Sequence, residues 1–295
     1  MAISITPIGE NFAAEITDLD IGVPLNNAIR DAVISALDIY ATVVIRGYPV
    51  SQKKQIEFAL RFGSLDEVNG VLTTDIKRRV RPELTDVSNI DAEKKLFGRE
   101  DRRRLFNLGN RLWHTDSSFK RVAAMYSMLH AHTVVPYGGE TQICDLRAAY
   151  DALDENVKSR IMDLVAVHSI YTSRAILGFD SFSEKERRAL PPIRRSLVRE
   201  HPGSKRKTLF LASHAGQVLG LTVADGRLLI GELMEHATQR EFIYTHKWRT
   251  GDLLIWDNRC TMHRVRPFDE DLYRRDMRRA TVMETEPGEV YEALD

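Results

Sequence analysis

From Ala123 onward the chain is a succession of short strand-forming runs, and that pattern most constrains what it can fold into. Such runs fall at 125–134, 140–145, 197–200, 208–212, 242–248, 252–256 and 276–283. Helical periodicity interrupts them at 156–165 and 223–237. A parallel sheet needs a long crossover, usually a helix, between successive strands, and that alternation is missing. The pattern predicts a mainly β chain with α decoration around a double-stranded β-helix, or jelly-roll, core.

The first hundred residues supply the decoration. Asn26 or Asn27 can cap a helix over 28–40, where Ile29, Val33, Ile34 and Leu37 recur at helical spacing. A buried strand at 41–46, closed by Gly47, and a helix at 52–62, stopped by Gly63, follow. From Val68 to Arg104 the chain is polar, charged and poorly periodic. It reads as loops, with a lid over about 68–110 and a short strand at 86–90. No repeat or low-complexity linker divides the 295 residues, so a single domain, 1–295, is expected.

Lys and Arg total 42 and so do Asp and Glu, so no global field draws the chain to nucleic acid or anionic lipid. The basic runs Lys77-Arg78-Arg79 and Arg102-Arg103-Arg104 read as solvated faces. No apolar run approaches a membrane span, and no signal peptide is visible in the first residues. Two cysteines, Cys144 and Cys260, are too few for a disulfide framework. A reducing cytoplasm is therefore the expected location.

Chemistry concentrates in two places. His114-Thr115-Asp116 sets an imidazole and a carboxylate two residues apart. In an extended segment such residues point to one face and can converge on one ion. His263, after an apolar strand, can complete the set. Two histidines and one carboxylate on one face of a metal leave the other positions open, which is the ligand set of non-haem Fe(II) oxygenases. Eleven positions on (263 to 274) stands Arg274, suited to hold the carboxylate of a chelating co-substrate.

The order His-x-Asp, Thr, His, Arg resembles the taurine dioxygenase group of 2-oxoglutarate oxygenases, and within it the 2,4-dichlorophenoxyacetate (aryloxyalkanoate) dioxygenases. The resemblance runs from Phe12 to about Val282 and is most specific at Leu112 to Phe119, Asp145 to Leu153, His236 to Phe242 and Trp256 to His263. It implies Fe(II) held by His114, Asp116 and His263, with 2-oxoglutarate and O2 as co-substrates. It further implies oxidative decarboxylation to succinate and hydroxylation of a small-molecule carboxylate. Related halogenating enzymes carry a small residue in place of Asp116, so the carboxylate points to hydroxylation. Relatives form oligomers, which implies a homo-oligomer here. A taurine or alkyl-sulfonate dioxygenase is the alternative within the group, and a jelly-roll binding module without turnover is the alternative outside it.

The same resemblance distributes further roles. Arg274 would grip the distal carboxylate of 2-oxoglutarate and Arg278 the acid group of the substrate. If 273–281 is a strand, 274, 276 and 278 share one face and 275, 277 and 279 take the other. Arg274 and Arg278 would then stand roughly 13 Å apart at about 3.3 Å per residue, suiting two anions on either side of one metal. Thr141 and Trp256 match co-substrate positions. His214, His201, Asn110 and Lys95 are candidates for the substrate pocket, although each histidine has an equal reading as a satisfied core residue. A lysine that some relatives carry has no clear match in Gly70 to Thr74, which leaves the exact substrate and enantiomer open. Cys260 reads as a reduced core thiol rather than a ligand.

Overall fold

Period-two alternation in three strands sets the architecture of the computed structural model, which describes residues 3–9, 12–47, 49–67 and 78–291. The first half contributes β1 (Ser4–Pro7), β2 (Ala14–Thr17), α1 (Asn27–Tyr40), β3 (Thr42–Ile45), α2 (Gln52–Ala59), β4 (Thr85–Asp86) and α3 (Arg102–Asn107). Then come β5 (Val122–Thr133), β6 (Thr141–Asp145), α4 (Leu146–Asp151), α5 (Glu155–Ile161), β7 (Val165–His168), α6 (Ile170–Ala175) and α7 (Glu184–Ala189). The chain continues through β8 (Ile193–Ser196), β9 (Val198–Glu200), β10 (Lys207–Leu209), β11 (Ala215–Val218) and α8 (Val223–Ala237). It closes with β12 (Ile243–His246), β13 (Leu253–Asp257), β14 (Thr261–Val265) and β15 (Asp276–Pro287).

The large sheet has the order β1-β2-β3-β13-β5-β15-β4, and β12-β6-β14 form a smaller one opposite it. In β3, β5 and β13, Val43, Ile45, Tyr126, Met128, Leu253 and Ile255 face one way, into a core shared with α1 and α2. Their neighbours Val44, Leu129, Ala131, Leu254 and Trp256 face the other way, meeting Ile143 of β6 and Met277 of β15 between the sheets. A third core packs the outer side of the small sheet, Cys144 and Met262, against α4 and α8. These layers are the jelly roll that the strand pattern predicts.

Local signals fix several boundaries. The side chain of Asn26 accepts from Ile29 N at 2.9 Å to cap α1, and Ala41, at φ 58°, ends it. The expected helix at 156–165 is shorter, because Val165 already begins β7, and the strand expected at 86–90 is the pair Thr85–Asp86. The region expected as loops contains α3 and a 3-10 turn at Leu108–Arg111. Four helices, α3, α4, α6 and α7, lay outside the sequence reading. Each has six residues, too few for a 3.6-residue period to declare itself.

Asp145 and Arg147 form a fully buried ion pair, with two N–H···O bonds at 3.0 Å, and Arg147 also donates to the carbonyls of Asp38 (2.7 Å) and Ile39 (3.3 Å). The pair ties α4 to the end of α1. Arg147→Ala leaves the carboxylate buried and uncompensated, so we expect it to cost about 3–5 kcal/mol of stability, read as a lowered urea midpoint at unchanged slope.

Candidate active site

The minor sheet delivers the first of the three candidate ligands. His263 lies opposite Ile143 in the β14–β6 register, so it shares the inward face of that strand, while its neighbour Met262 points out. His114 then forms a two-way backbone bridge with His263, N to O at 3.0 and 2.8 Å, which extends the small sheet by one residue. Thr115 is buried and its hydroxyl donates to the carbonyls of Leu211 (2.9 Å) and Thr261 (3.0 Å). This pins the segment while Asp116 enters a turn, with Ser117 at φ 54°.

The three side chains converge as the spacing predicts. His114 Nε2 lies 3.8 Å and His263 Nε2 3.5 Å from the two Asp116 oxygens, and ligand atoms of all three fall within 4.8 Å of one another. His114 Nδ1 is 2.8 Å from the Leu112 carbonyl, an acceptor, so Nδ1 carries the proton and Nε2 keeps its lone pair. Burial holds His114 and His263 below their ordinary pKa, hence neutral. Burial would raise the Asp116 carboxyl, but the Arg279 guanidinium beside it, helped by the Ser127 hydroxyl, outweighs this and holds it well below the usual carboxylate range. Two lone pairs and one anion aimed at one point make a donor set suited to a divalent cation, with no protonated member to repel it.

A supporting set keeps Asp116 in place. Ser127 Oγ donates to Asp116 Oδ2 at 2.7 Å, Asn258 donates to Ser127 at 2.9 Å, and Asn258 Oδ1 accepts from the Asp116 amide at 3.2 Å. Arg279 donates to Asp116 Oδ1. Ser127, Asn258 and Arg279 were not among the sequence candidates. Asn258 stands inside the Trp256–His263 run, and that was the available signal.

The arginine assignment is corrected by one register. Arg274 is exposed, and Arg278 faces the opposite way, pairing with Asp276 at 3.5 Å and accepting Gln55 Nε2 on its carbonyl at 2.8 Å. Arg275 and Arg279 take the inward face, with buried Met277 between them in the inter-sheet core. The two faces of this strand carry the same four-residue arginine spacing. Burial of Met277 in the inter-sheet core, beside its register partner Ala131, selects the odd-numbered one.

Two cavities meet at the triad. The smaller is bounded by Thr141, Trp256, His263, Arg275, Arg279 and Asn110. Thr141 accepts from Trp248 Nε1 at 3.1 Å, and Trp256 packs on the His263 ring at 4.5 Å. Arg275 has no carboxylate within ion-pair reach among the described residues, and burial lowers its pKa to about 10. The larger cavity, about 270 Å³, opens onto His114 and Asp116 between apolar walls that include Val80, Leu84, Phe97, Phe106 and Phe119.

The remaining candidates divide. His214 and Asn110 line the larger cavity, His214 against the Phe119 ring at 4.7 Å. His201 does not: it is a core residue whose Nε2 bonds Asp257 Oδ2 at 2.9 Å. Asp257 also holds Arg259, and burial pushes the adjacent Cys260 thiol well up, so this second cluster of ligand-type residues is a satisfied network. Lys95 is exposed in a turn whose amides bond Asp91, and it lines neither cavity. Arg79, Arg102 and Arg103, expected on solvated faces, instead wall the larger cavity in ion pairs with Asp86 and Asp276, Glu186 and Asp101. Gly70 to Thr74 lies outside the described residues.

Residues 4–281 match the family model described as taurine catabolism dioxygenase TauD, TfdA family. The chain belongs to that family. It is 44% identical to the alpha-ketoglutarate-dependent 2,4-dichlorophenoxyacetate dioxygenase of Cupriavidus pinatubonensis, over 96% of this chain and 99% of that one. It is 33% identical to the (S)-phenoxypropionate/alpha-ketoglutarate-dioxygenase of Sphingobium herbicidovorans, over 91% of each. Among solved structures, AAD-2 in complex with Mn(II) and N-oxalylglycine superposes with a TM-score of 0.94 at 45% identity, covering 97% of this chain and 99% of that one. As a TauD/TfdA member the chain is a 2-oxoglutarate-dependent dioxygenase. No helix among the described residues is long and apolar enough to cross a membrane.

Proposed function

We propose that this TauD/TfdA enzyme uses Fe(II), 2-oxoglutarate and O2 to hydroxylate an aryloxyalkanoate on the carbon beside its ether oxygen. His114, Asp116 and His263 would hold the iron, which supplies oxygen activation coupled to decarboxylation of the co-substrate. The likeness to 2,4-dichlorophenoxyacetate dioxygenases supports the substrate class. The single observation that carries it on this chain is the apolar cavity beside the triad, sized and walled for an aromatic ring.

The chain's own groups then divide the work. Arg275, deep in the smaller cavity with Thr141 and Trp256, takes the distal carboxylate of 2-oxoglutarate through its two-pronged N–H fork. Arg279 and Ser127 keep Asp116 ionised and oriented. The phenylalanine walls exclude water and aim the ether-linked carbon at the triad. One oxygen atom of O2 enters the substrate as hydroxyl and the other enters succinate. For an aryloxyacetate the resulting hemiacetal loses the phenol as its C–O bond breaks, leaving glyoxylate, so products are phenol, glyoxylate, succinate and CO2.

The test is aerobic turnover with Fe(II), ascorbate and 2-oxoglutarate, following phenol and succinate together. Phenol should appear in step with succinate from 2,4-dichlorophenoxyacetate. Sulfite from taurine or an alkyl sulfonate, with no phenol from any aryloxyalkanoate, would replace this reading by the sulfonate one.

A further inference from the structure

We propose that Trp248 is a positioning residue for the co-substrate: its indole N–H makes the Thr141 hydroxyl a one-way donor and so favours a 2-oxo acid that carries a distal carboxylate. The proposal deepens the reading that Thr141 and Arg275 hold that carboxylate, and rests on it. Trp248 ends the strand-forming run at 242–248, and no motif singled it out.

Thr141 opens β6, with His246 of β12 opposite it on one side and Val265 of β14 on the other. Its backbone is therefore paired on both flanks, and its side chain is 3% exposed in the wall of the smaller cavity. Trp248 lies two residues beyond His246, and its Nε1 donates to Thr141 Oγ at 3.1 Å. An indole nitrogen only donates. The Thr141 oxygen is thus the acceptor in this bond, and its own hydrogen must go elsewhere. Among the described residues no acceptor takes it. A buried hydroxyl hydrogen without an acceptor is costly, and the cavity that Thr141 shares with Arg275 is where an acceptor can stand. A carboxylate suits both groups, taking two N–H bonds from the guanidinium fork and an O–H bond from the hydroxyl. An apolar chain end can take neither.

The indole is itself fixed. Its ring stands perpendicular to that of His246 at 4.5 Å. His246 is held below its ordinary pKa by burial, with Asp252 Oδ2 3.1 Å from its Nε2 and the Tyr244 hydroxyl 3.2 Å from its Nδ1. The Asp252 carboxylate accepts, so Nε2 carries the imidazole proton and Tyr244 donates to Nδ1. Asp252 is ion-paired with Arg46 at 2.6 Å and accepts from the Arg249 amide at 2.8 Å, which ties down the chain just after Trp248. Trp256, the tryptophan that lines the smaller cavity, gives its own N–H to Asn258 at 3.1 Å, so it is no rival for this role.

The experiment measures binding apart from turnover. 2-Oxoglutarate and 2-oxopentanoate, which keeps the chelating end and lacks the distal carboxylate, are titrated calorimetrically into the Mn(II)-loaded full chain. The variants are Trp248→Phe, Thr141→Val and the two together. A further variant carries benzothienylalanine at position 248, which keeps the bicyclic ring and has sulfur in place of N–H, so the donor goes while the packing stays. The wild type should prefer 2-oxoglutarate. Trp248→Phe and the benzothienyl variant should each weaken its binding about 5- to 10-fold, the worth of one neutral hydrogen bond, and leave 2-oxopentanoate unchanged. In the Thr141→Val background Trp248→Phe should add nothing, because its effect runs through the hydroxyl. Undiminished 2-oxoglutarate binding in the benzothienyl variant overturns the proposal, and so does an additive loss in the double variant. Equal weakening of both 2-oxo acids by Trp248→Phe also overturns it, marking the residue as structural. If the wild type binds the two 2-oxo acids equally, the distal-carboxylate reading of Thr141 and Arg275 fails and takes the proposal with it.

Discussion

Asp116→Ala is expected to purify without iron and to lose turnover by roughly a thousandfold or more, about 4 kcal/mol of transition-state stabilisation. Asp116 is the anionic member of the triad, and the two neutral imidazoles that remain cannot balance a divalent cation. The same substitution strands Arg279, whose ion-pair partner among the described residues is Asp116. Asp116→Asn keeps the shape and the Ser127 contact while removing the charge, so it separates charge from packing. Iron content of the purified variants and succinate formation under saturating Fe(II) are the measurements. Full activity in either variant would remove Asp116 from the ligand set.

Arg275→Ala is expected to raise the KM for 2-oxoglutarate about 100-fold, from the loss of two charge-assisted bonds worth roughly 3 kcal/mol together. Arg274→Ala should change it less than about twofold, because an exposed side chain away from functional contacts contributes little. Initial rates against 2-oxoglutarate at saturating iron and substrate compare the pair directly. The reverse ranking would restore the exposed arginine to the co-substrate site and require a different register for β15. Equal effects would mean that neither residue reads the co-substrate.

Much of the site was legible because it is local. His114 and Asp116 are two residues apart, and Thr115 between them is locked by two backbone carbonyls, so the pair converges almost by its covalent geometry. Thr141 and His263 sit on strands whose alternation places them inward with Ile143. His201 shows the opposite case. Its position suggested substrate, yet a hydrogen bond to Asp257, 56 residues away in sequence, satisfies it in the core. Lys95 shared the pocket's neighbourhood in sequence without turning toward it.

The helices lining the larger cavity were harder to see. α3 and α6 have six residues each, and their stability comes from burying Phe106 against Phe179 and Ile170 in the core rather than from any period of their own. Arg174 fills the space beside Gly109 only when α6 packs there, 65 positions later in the chain.

By itself the sequence determined the jelly-roll class and the convergence of His114, Asp116 and His263, because short strands and a two-residue spacing act through local geometry. It also determined that a strand near 273–281 presents arginines four residues apart. Which pair enters the molecule was decided only by tertiary structure. A strand has two equivalent faces until one of them is buried, and here Met277, in the inter-sheet core beside Ala131, buries the face that carries Arg275 and Arg279.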